Sequence, residues 1–275
     1  MKVRVRPAVL MLGLAVLGAA ARGADRAPAA DAGRDLAGFT VTSIAEGVRC
    51  ISDEGEVNAY LIEGSRKALL VDSGYGRHDL DRCVAKLTKL PVEVLLTHGH
   101  RDHAGGVGPF GRAYAHEADW KLVGSSLREG VRVRLFAIAD GDRLDLGGRV
   151  LQVIGTPGHT PGSVCVLDAA HRLLFAGDTT NRIVWLFLKE SLPLETYLAS
   201  LRKLNARAKE FDTVLPGHGA PLDAAFIGEQ IACAEQILSG GYTRKEYRWR
   251  ERRALQWTCQ RATIAFDPEK LRAKP

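Results

Sequence analysis

The 275-residue sequence predicts an α/β architecture in which two sheets carry helices on their outer sides. Three observations carry that prediction. Short β-rich segments follow one another from Phe39, the apolar period then changes from two to helical near Asp79, and strands and helices alternate through the rest of the chain. A hydrophobic content of 46% with 25% charged residues is ordinary for a globular protein that buries a sizeable core.

The elements read off in order. "FTVTSI", "GVRCIS", "VNAYLIEG" and "KALLVDSG" are rich in β-branched and aliphatic residues and are broken by Gly, Glu and Ser, which predicts consecutive strands of an antiparallel sheet. Leu80, Val84, Leu87 and Leu90 then fall at helical spacing, so a helix is expected over 79–90, closed by Pro91. "VEVLL" is a continuous apolar strand. A helix is expected over 116–126, and strands at "RVLQVIG", "SVCVLD" and "RLLFAGD". Helices over 193–208 and 223–239 flank the strand and turn of "FDTVLPGHG", and "ATIAF" is a last strand. No repeat of solenoid-like period is present.

Both ends differ from this core. "MKVRVRP" is basic, Ala8 to Ala21 is apolar, and Ala19, Ala20 and Ala21 offer a small-residue cleavage site. These are the parts of a secretory signal peptide, and the apolar run is short for a bilayer span. The expected organisation is a signal peptide at 1–21, a flexible leader at 22–37, one domain at 38–267 and a tail at 268–275, with export to the periplasm and no membrane attachment after cleavage. Five cysteines include no C-x-x-C pair, which argues against a cysteine zinc site. Cys233 and Cys259 are the pair to test for a disulfide, which an exporting compartment permits. The net charge of +6 is partly concentrated at the ends and does not by itself call for a nucleic-acid partner. "YTRKEYRWRERRALQW", basic with interleaved aromatics, reads as a solvated helix face.

The chemistry is concentrated in "THGHRDHAGG", where His98, His100, Asp102 and His103 crowd into six positions of a chain with eight histidines. Directly after a strand, His98 and His100 face one side because extended side chains alternate, and Asp102 and His103 follow across a turn eased by Gly105 and Gly106. Three further strand ends carry the same residue types: His159 in "GTPGHTPGS", Asp178 in "FAGDT" and His218 in "LPGHG". Each is weak alone. Together with the cluster they supply five histidines and two aspartates. His78, His116 and His171 lie outside these motifs and read as surface or structural residues.

In the order of these four motifs, from Phe39 to Phe266, the chain resembles the metallo-β-lactamase-fold superfamily, among whose members are glyoxalase II-like, lactonase-like and β-lactamase-like enzymes. The resemblance implies a four-layer αββα sandwich with a metal site along one edge of the two sheets. It implies that His98, His100 and His159 bind one metal, that Asp102, His103 and His218 bind a second, and that Asp178 bridges them; all seven positions are filled. Imidazole and carboxylate ligands suit zinc. A hydroxide shared by two zinc ions would attack a carbonyl or phosphoryl centre, with Asp102 or the metal-bound solvent protonating the leaving group. Asp72 in "LLVDSGYG" is either an acceptor that steadies a histidine ligand or an ordinary turn residue.

The expected activity is hydrolysis of a small-molecule ester, thioester, lactone or lactam by an exported dizinc enzyme. The alternative is an oxidoreductase like the persulfide dioxygenases, which use a single Fe2+. Ile183 to Leu188, with Trp185 and Phe187, is apolar enough either to wall a substrate pocket or to pack under the next helix. Asn181 and Tyr197 are further candidates for contact with substrate. The chain after His218 is expected to be too short for a full copy of the helical domain with which glyoxalase II-like enzymes bind glutathione, and the sequence leaves the oligomeric state open.

Overall fold

The computed structural model describes Leu36 and residues 38–273. The expected signal peptide, its cleavage site and nearly all of the leader lie outside the described residues. Seventeen strands and five α-helices occupy the described chain.

The first sheet has seven strands in sequential order: β1 (Phe39–Ala45), β2 (Val48–Asp53), β3 (Val57–Glu63), β4 (Ala68–Val71), β5 (Val92–Leu95), β6 (Arg112–Ala115) and β7 (Arg134–Ala137). β1 to β4 pair antiparallel, as their sequence spacing predicts, and β4 to β7 pair parallel. The parallel crossovers carry α1 (Leu80–Leu87), the single turn α2 (Arg101–Ala104) and α3 (Trp120–Ser126). The second sheet contains β8 (Arg143–Asp145), β9 (Val150–Gly155), β10 (Val164–Asp168), β11 (Leu173–Gly177), β13 (Thr213–Pro216) and β14 (Leu222–Asp223) in the order β14-β13-β11-β10-β9-β8. α4 (Leu194–Ala206) and α5 (Phe226–Leu238) cover it.

Strand alternation builds the layers. In β3 and β4, Leu61 and Leu70 face Leu80, Val84 and Leu87 of α1, while Tyr60, Ile62, Leu69 and Val71 face the other sheet. In β10, Val164 and Val166 face inward and Cys165 and Leu167 face α4 and α5. Three apolar layers therefore stack helix on sheet, sheet on sheet and sheet on helix, which is the αββα sandwich.

A third sheet was not expected. β12 (Ile183–Leu186), β17 (Ala262–Phe266), β16 (Arg252–Cys259) and β15 (Lys245–Trp249) form it in that order. The basic, aromatic segment read as a helix face is thus the β15–β16 hairpin. Its alternating Tyr247 and Trp249 pack on one face, so the period is two and not 3.6. The same alternation resolves Ile183–Leu188: Val184 and Leu186 join the core under α4 and α5, whereas Trp185 and Phe187 face Tyr247 and Trp249. α1 ends earlier than the apolar spacing predicts, because Thr88 is extended and closes it two residues before Leu90.

Cys233 and Cys259 are free thiols, so no disulfide joins them. The Cys233 thiol is directed to the Trp257 carbonyl oxygen (3.5 Å), and burial pushes its pKa up to about 12. Lys270 and Leu271 are tied to the start of α4, because the Leu194 and Glu195 amides donate to their carbonyls.

One buried ion pair pins the sandwich on the side of β9 and β10. Arg149 Nε donates to Asp168 Oδ2 (2.7 Å), and Nη1 donates to the Glu46 and Glu63 carbonyls (3.1 and 3.2 Å). Arg149→Ala leaves Asp168, whose side chain is fully buried, without its cation. The expected loss is about 3–5 kcal/mol of unfolding free energy, measured by denaturant titration.

Candidate metal centre

The seven residues singled out in the sequence all lie beyond the carboxyl ends of strands at one edge of the sandwich. β4 and β5 are parallel, β11 and β13 are parallel, and two antiparallel steps through β10 return β9 to the direction of β11. The segments that follow β5, β9, β11 and β13 therefore emerge on the same edge. Backbone bonds join the sheets there: the Val164 amide donates to the Thr97 carbonyl and the Asn58 amide to the Gly217 carbonyl, both at 2.8 Å.

Two groups of side chains converge in that edge. The ligating atoms of His98, His100 and His159 lie within 4.8 Å of one another, as do those of Asp102, His103 and His218. His100 Nδ1 is 2.9 Å from His159 Nε2, and His98 Nε2 is buried without a hydrogen-bond partner. Asp178 stands between the groups. Its Oδ1 is 3.4 Å from His103 Nε2, and its Oδ2 is 3.5 Å from both His159 Nε2 and His218 Nε2. Asp102 Oδ2 is 3.2 Å from His218 Nε2 and 3.6 Å from His103 Nε2.

Each imidazole is held by its other nitrogen. His103 Nδ1 meets Asp72 Oδ2 at 2.8 Å, His159 Nδ1 the Trp185 carbonyl at 2.7 Å, and His218 Nδ1 the Glu56 carbonyl at 2.5 Å. His98 Nδ1 is 3.1 Å from Thr97 Oγ1, and His100 Nε2 is 2.5 Å from Glu190 Oε1. Five rings thus present one nitrogen each to a common space, the arrangement that outer hydrogen bonds create around metal ligands. An orphaned buried nitrogen beside convergent imidazoles and carboxylates fits divalent cations with nitrogen and oxygen ligands. Asp72, one of the two readings left open by the sequence, is the acceptor that steadies His103.

The electrostatics follow the two groups. Burial and the neighbouring His103 and His100 hold the pKa of His98 well below the ordinary imidazole value, and burial with His100 brings His159 down to about 4. Burial also opposes charge on His218, but Asp178 and Asp102 overcome it and lift its pKa to about 11. Burial raises the Asp102 carboxyl, yet His103 and His218 bring it down to about 2. The side of the site with two carboxylates is thus built for positive charge.

Glu190 and Asp119 carry no motif. Glu190 reaches His100 from a loop 90 residues away in sequence. Asp119, 1% exposed, accepts from the Gly99 and Gly162 amides (both 2.8 Å) and from Thr160 Oγ1 (2.7 Å), clamping the His98–His100 loop to the His159 loop. Gly217 is required by close approach: a Cβ there would come within 2.5 Å of Asp178 Oδ1 and His103 Cε1. Only the tertiary fold brings Glu190 and Asp119 to the candidate ligands.

A cleft of about 610 Å³ opens over the centre, and Asn181, Trp185 and Tyr75 line it with residues of the two groups. Asn181 Nδ2 donates to Asp178 Oδ1 at 2.9 Å. Two expectations are corrected. Tyr197 is fully buried in α4, where its hydroxyl donates to the Thr179 carbonyl (2.8 Å), and Phe187 lies behind Trp185 with ring centroids 5.4 Å apart. Neither reaches the cleft, because each points into an apolar layer. His78, His116 and His171 stand apart from the centre and contact Glu54, the Ala118 amide and Asp168 respectively.

Comparison with known proteins agrees with this geometry. The family model of the metallo-beta-lactamase superfamily matches residues 52–218. Acyl-coenzyme A thioesterase MBLAC2 of Gallus gallus is 29% identical over 201 residues, covering 58% of this chain and 72% of that protein. Atrochrysone carboxyl ACP thioesterase of Aspergillus fumigatus is 30% identical over 174 residues, covering 60% of this chain and 51% of that protein. A metallo-beta-lactamase structure from Pontibacter korlensis superimposes with a TM-score of 0.59 at 20% identity, covering 70% of this chain and 97% of its own. By fold, motif order and matched length, the chain belongs to the metallo-beta-lactamase superfamily.

Proposed function

We propose that this chain is an exported hydrolase of acyl thioesters that works with two zinc ions, one held by His98, His100 and His159, the other by Asp102, His103 and His218, with Asp178 shared. The observation that carries the reading is the completeness of both groups around Asp178, since a mononuclear iron site like that of the persulfide dioxygenases would need only one of them. The names of the two thioesterase relatives favour the thioester over the other acyl substrates. The basic head and apolar run of the first 21 residues support export.

Ions bound there would supply Lewis acidity for an acyl carbonyl and a more acidic water. The chain's own residues do the rest. Asp102 lines the cleft, and a carboxylate oxygen of it that the ion leaves free would accept the proton of an attacking water. Tyr75, whose pKa is raised by burial and by Asp102, keeps its hydroxyl proton as a donor in the same cleft. The leaving group of a thioester is a thiolate, whose conjugate acid has a pKa of about 8.5, so expulsion needs no strong general acid. That suits a cleft whose acidic side chains are held as carboxylates.

The test is turnover of acyl-coenzyme A, a β-lactam and a lactone by the mature protein before and after chelation. Thioester hydrolysis that disappears with chelation and returns with zinc is expected. Turnover of the lactam or lactone with no thioester cleavage would overturn the assignment.

A further inference from the structure

The third sheet adds a wall to the cleft that the metal ligands do not need. Its β15–β16 hairpin turns at Arg250 and Glu251, with Arg250 in the left-handed region at φ 53°. In the hairpin register Trp249 lies opposite Arg252 and Tyr247 opposite Ala254, so these four share one face. That face looks into the cleft, where Tyr247, Trp249, Arg250 and Arg252 all contribute to the lining. Trp185 joins them: its ring centroid is 5.1 Å from that of Trp249 and 6.2 Å from that of Tyr247. Because the Trp185 carbonyl also holds His159, this aromatic surface is continuous with the metal centre.

Cations sit on the outer margin of the same surface. The Arg250 guanidinium lies over the Trp249 ring at 4.6 Å, and Arg252 lines the cleft together with Glu190, whose carboxyl its charge helps hold down. Arg101 also lines the cleft and is exposed. The cleft therefore runs from hydrolytic centre to half-buried aromatic rings to a basic rim. Planar rings with a guanidinium stacked on them accept an apolar or planar group on the inside and an anion at the edge.

Building on the thioester reading, we propose that the hairpin selects thioesters carrying an anionic group beyond an apolar segment, with Tyr247, Trp249 and Trp185 holding the segment and Arg250 and Arg252 the anion. The anion has two chemical sources, a carboxylate on the acyl group or a phosphate on the thiol carrier. Both present oxygens that a guanidinium binds by paired hydrogen bonds.

The experiment compares the zinc-loaded protein with Arg250→Gln/Arg252→Gln and with the charge-conserving Arg250→Lys/Arg252→Lys. Three thioesters are used: a neutral acyl-N-acetylcysteamine, the same compound with a terminal carboxylate, and the neutral acyl group on coenzyme A. Two non-hydrolysable thioethers, one of coenzyme A and one of N-acetylcysteamine with a terminal carboxylate, are titrated calorimetrically in parallel. The glutamine pair is expected to lose about 10- to 100-fold more kcat/KM on an anionic substrate than on the neutral one, with the lysine pair recovering part of it. Loss confined to the carboxylate compound or to the coenzyme A compound identifies the source of the anion. Equal effects on all three thioesters would overturn the proposal. Should the wild type cleave none of them, the thioester reading fails, and the titration decides the hairpin separately: weaker binding of either thioether by the glutamine pair upholds its role, and equal binding of both removes it.

Discussion

Asp178→Ala is expected to lower thioester hydrolysis by about three orders of magnitude while leaving the fold intact, in line with the several kcal/mol that metal ions contribute to a charged transition state. Asp178 is the one side chain whose two oxygens face both ligand groups, with Oδ1 toward His103 and Oδ2 toward His159 and His218. It follows β11 at the sheet edge, so its loss opens no cavity in the three apolar layers. Its charge also balances part of the positive charge an ion would bring between His103 and His218. Without it the centre keeps its histidines but loses the anion that joins them. Steady-state kinetics alongside circular dichroism check this. A variant with wild-type kcat/KM would remove Asp178 from the centre.

The second large effect is expected at a residue that touches no substrate. Asp72, 2% exposed and at φ 63°, ends β4 and accepts from the Thr97 amide (2.7 Å), from Thr97 Oγ1 (2.8 Å) and from His103 Nδ1 (2.8 Å). It fixes the start of the histidine loop and the orientation of one imidazole together. Asp72→Ala strands these buried donors and frees the His103 ring. Zinc affinity is expected to fall about 10- to 100-fold, as for other carboxylates that support a ligating histidine. Activity should then recover in part as zinc is raised, a response that distinguishes lost positioning from lost chemistry. Asp72→Asn should show the milder defect, because its amide oxygen can still accept from the loop.

The sequence made the ligand set legible because metal chemistry demands particular residue types at tight spacing, and "THGHRDH" is dense enough to stand out from turns. The four opening strands were legible because they are dense in β-branched and aliphatic residues and are separated by Gly, Glu and Ser. β6 and β7 were missed: they are four-residue strands whose exposed arginines, Arg112 and Arg134, interrupt any apolar pattern. The hairpin was misread as a helix face, since charge and aromatics at mixed spacing fit both periods until the partner strand is known. Glu190 and Asp119 leave no local trace, as each acts through a contact far away in sequence. Tyr197 shows the converse error. A polar tip near the motifs invited a role at the substrate, but its hydroxyl satisfies a buried carbonyl instead.

The most direct test of the account is the metal content of the mature protein, purified without added metal or chelator and measured by mass spectrometry beside the Asp178→Ala variant. The account predicts about two zinc ions per chain in the wild type and a clear deficit in the variant. About one iron per chain with little zinc, unchanged by the substitution, would contradict it.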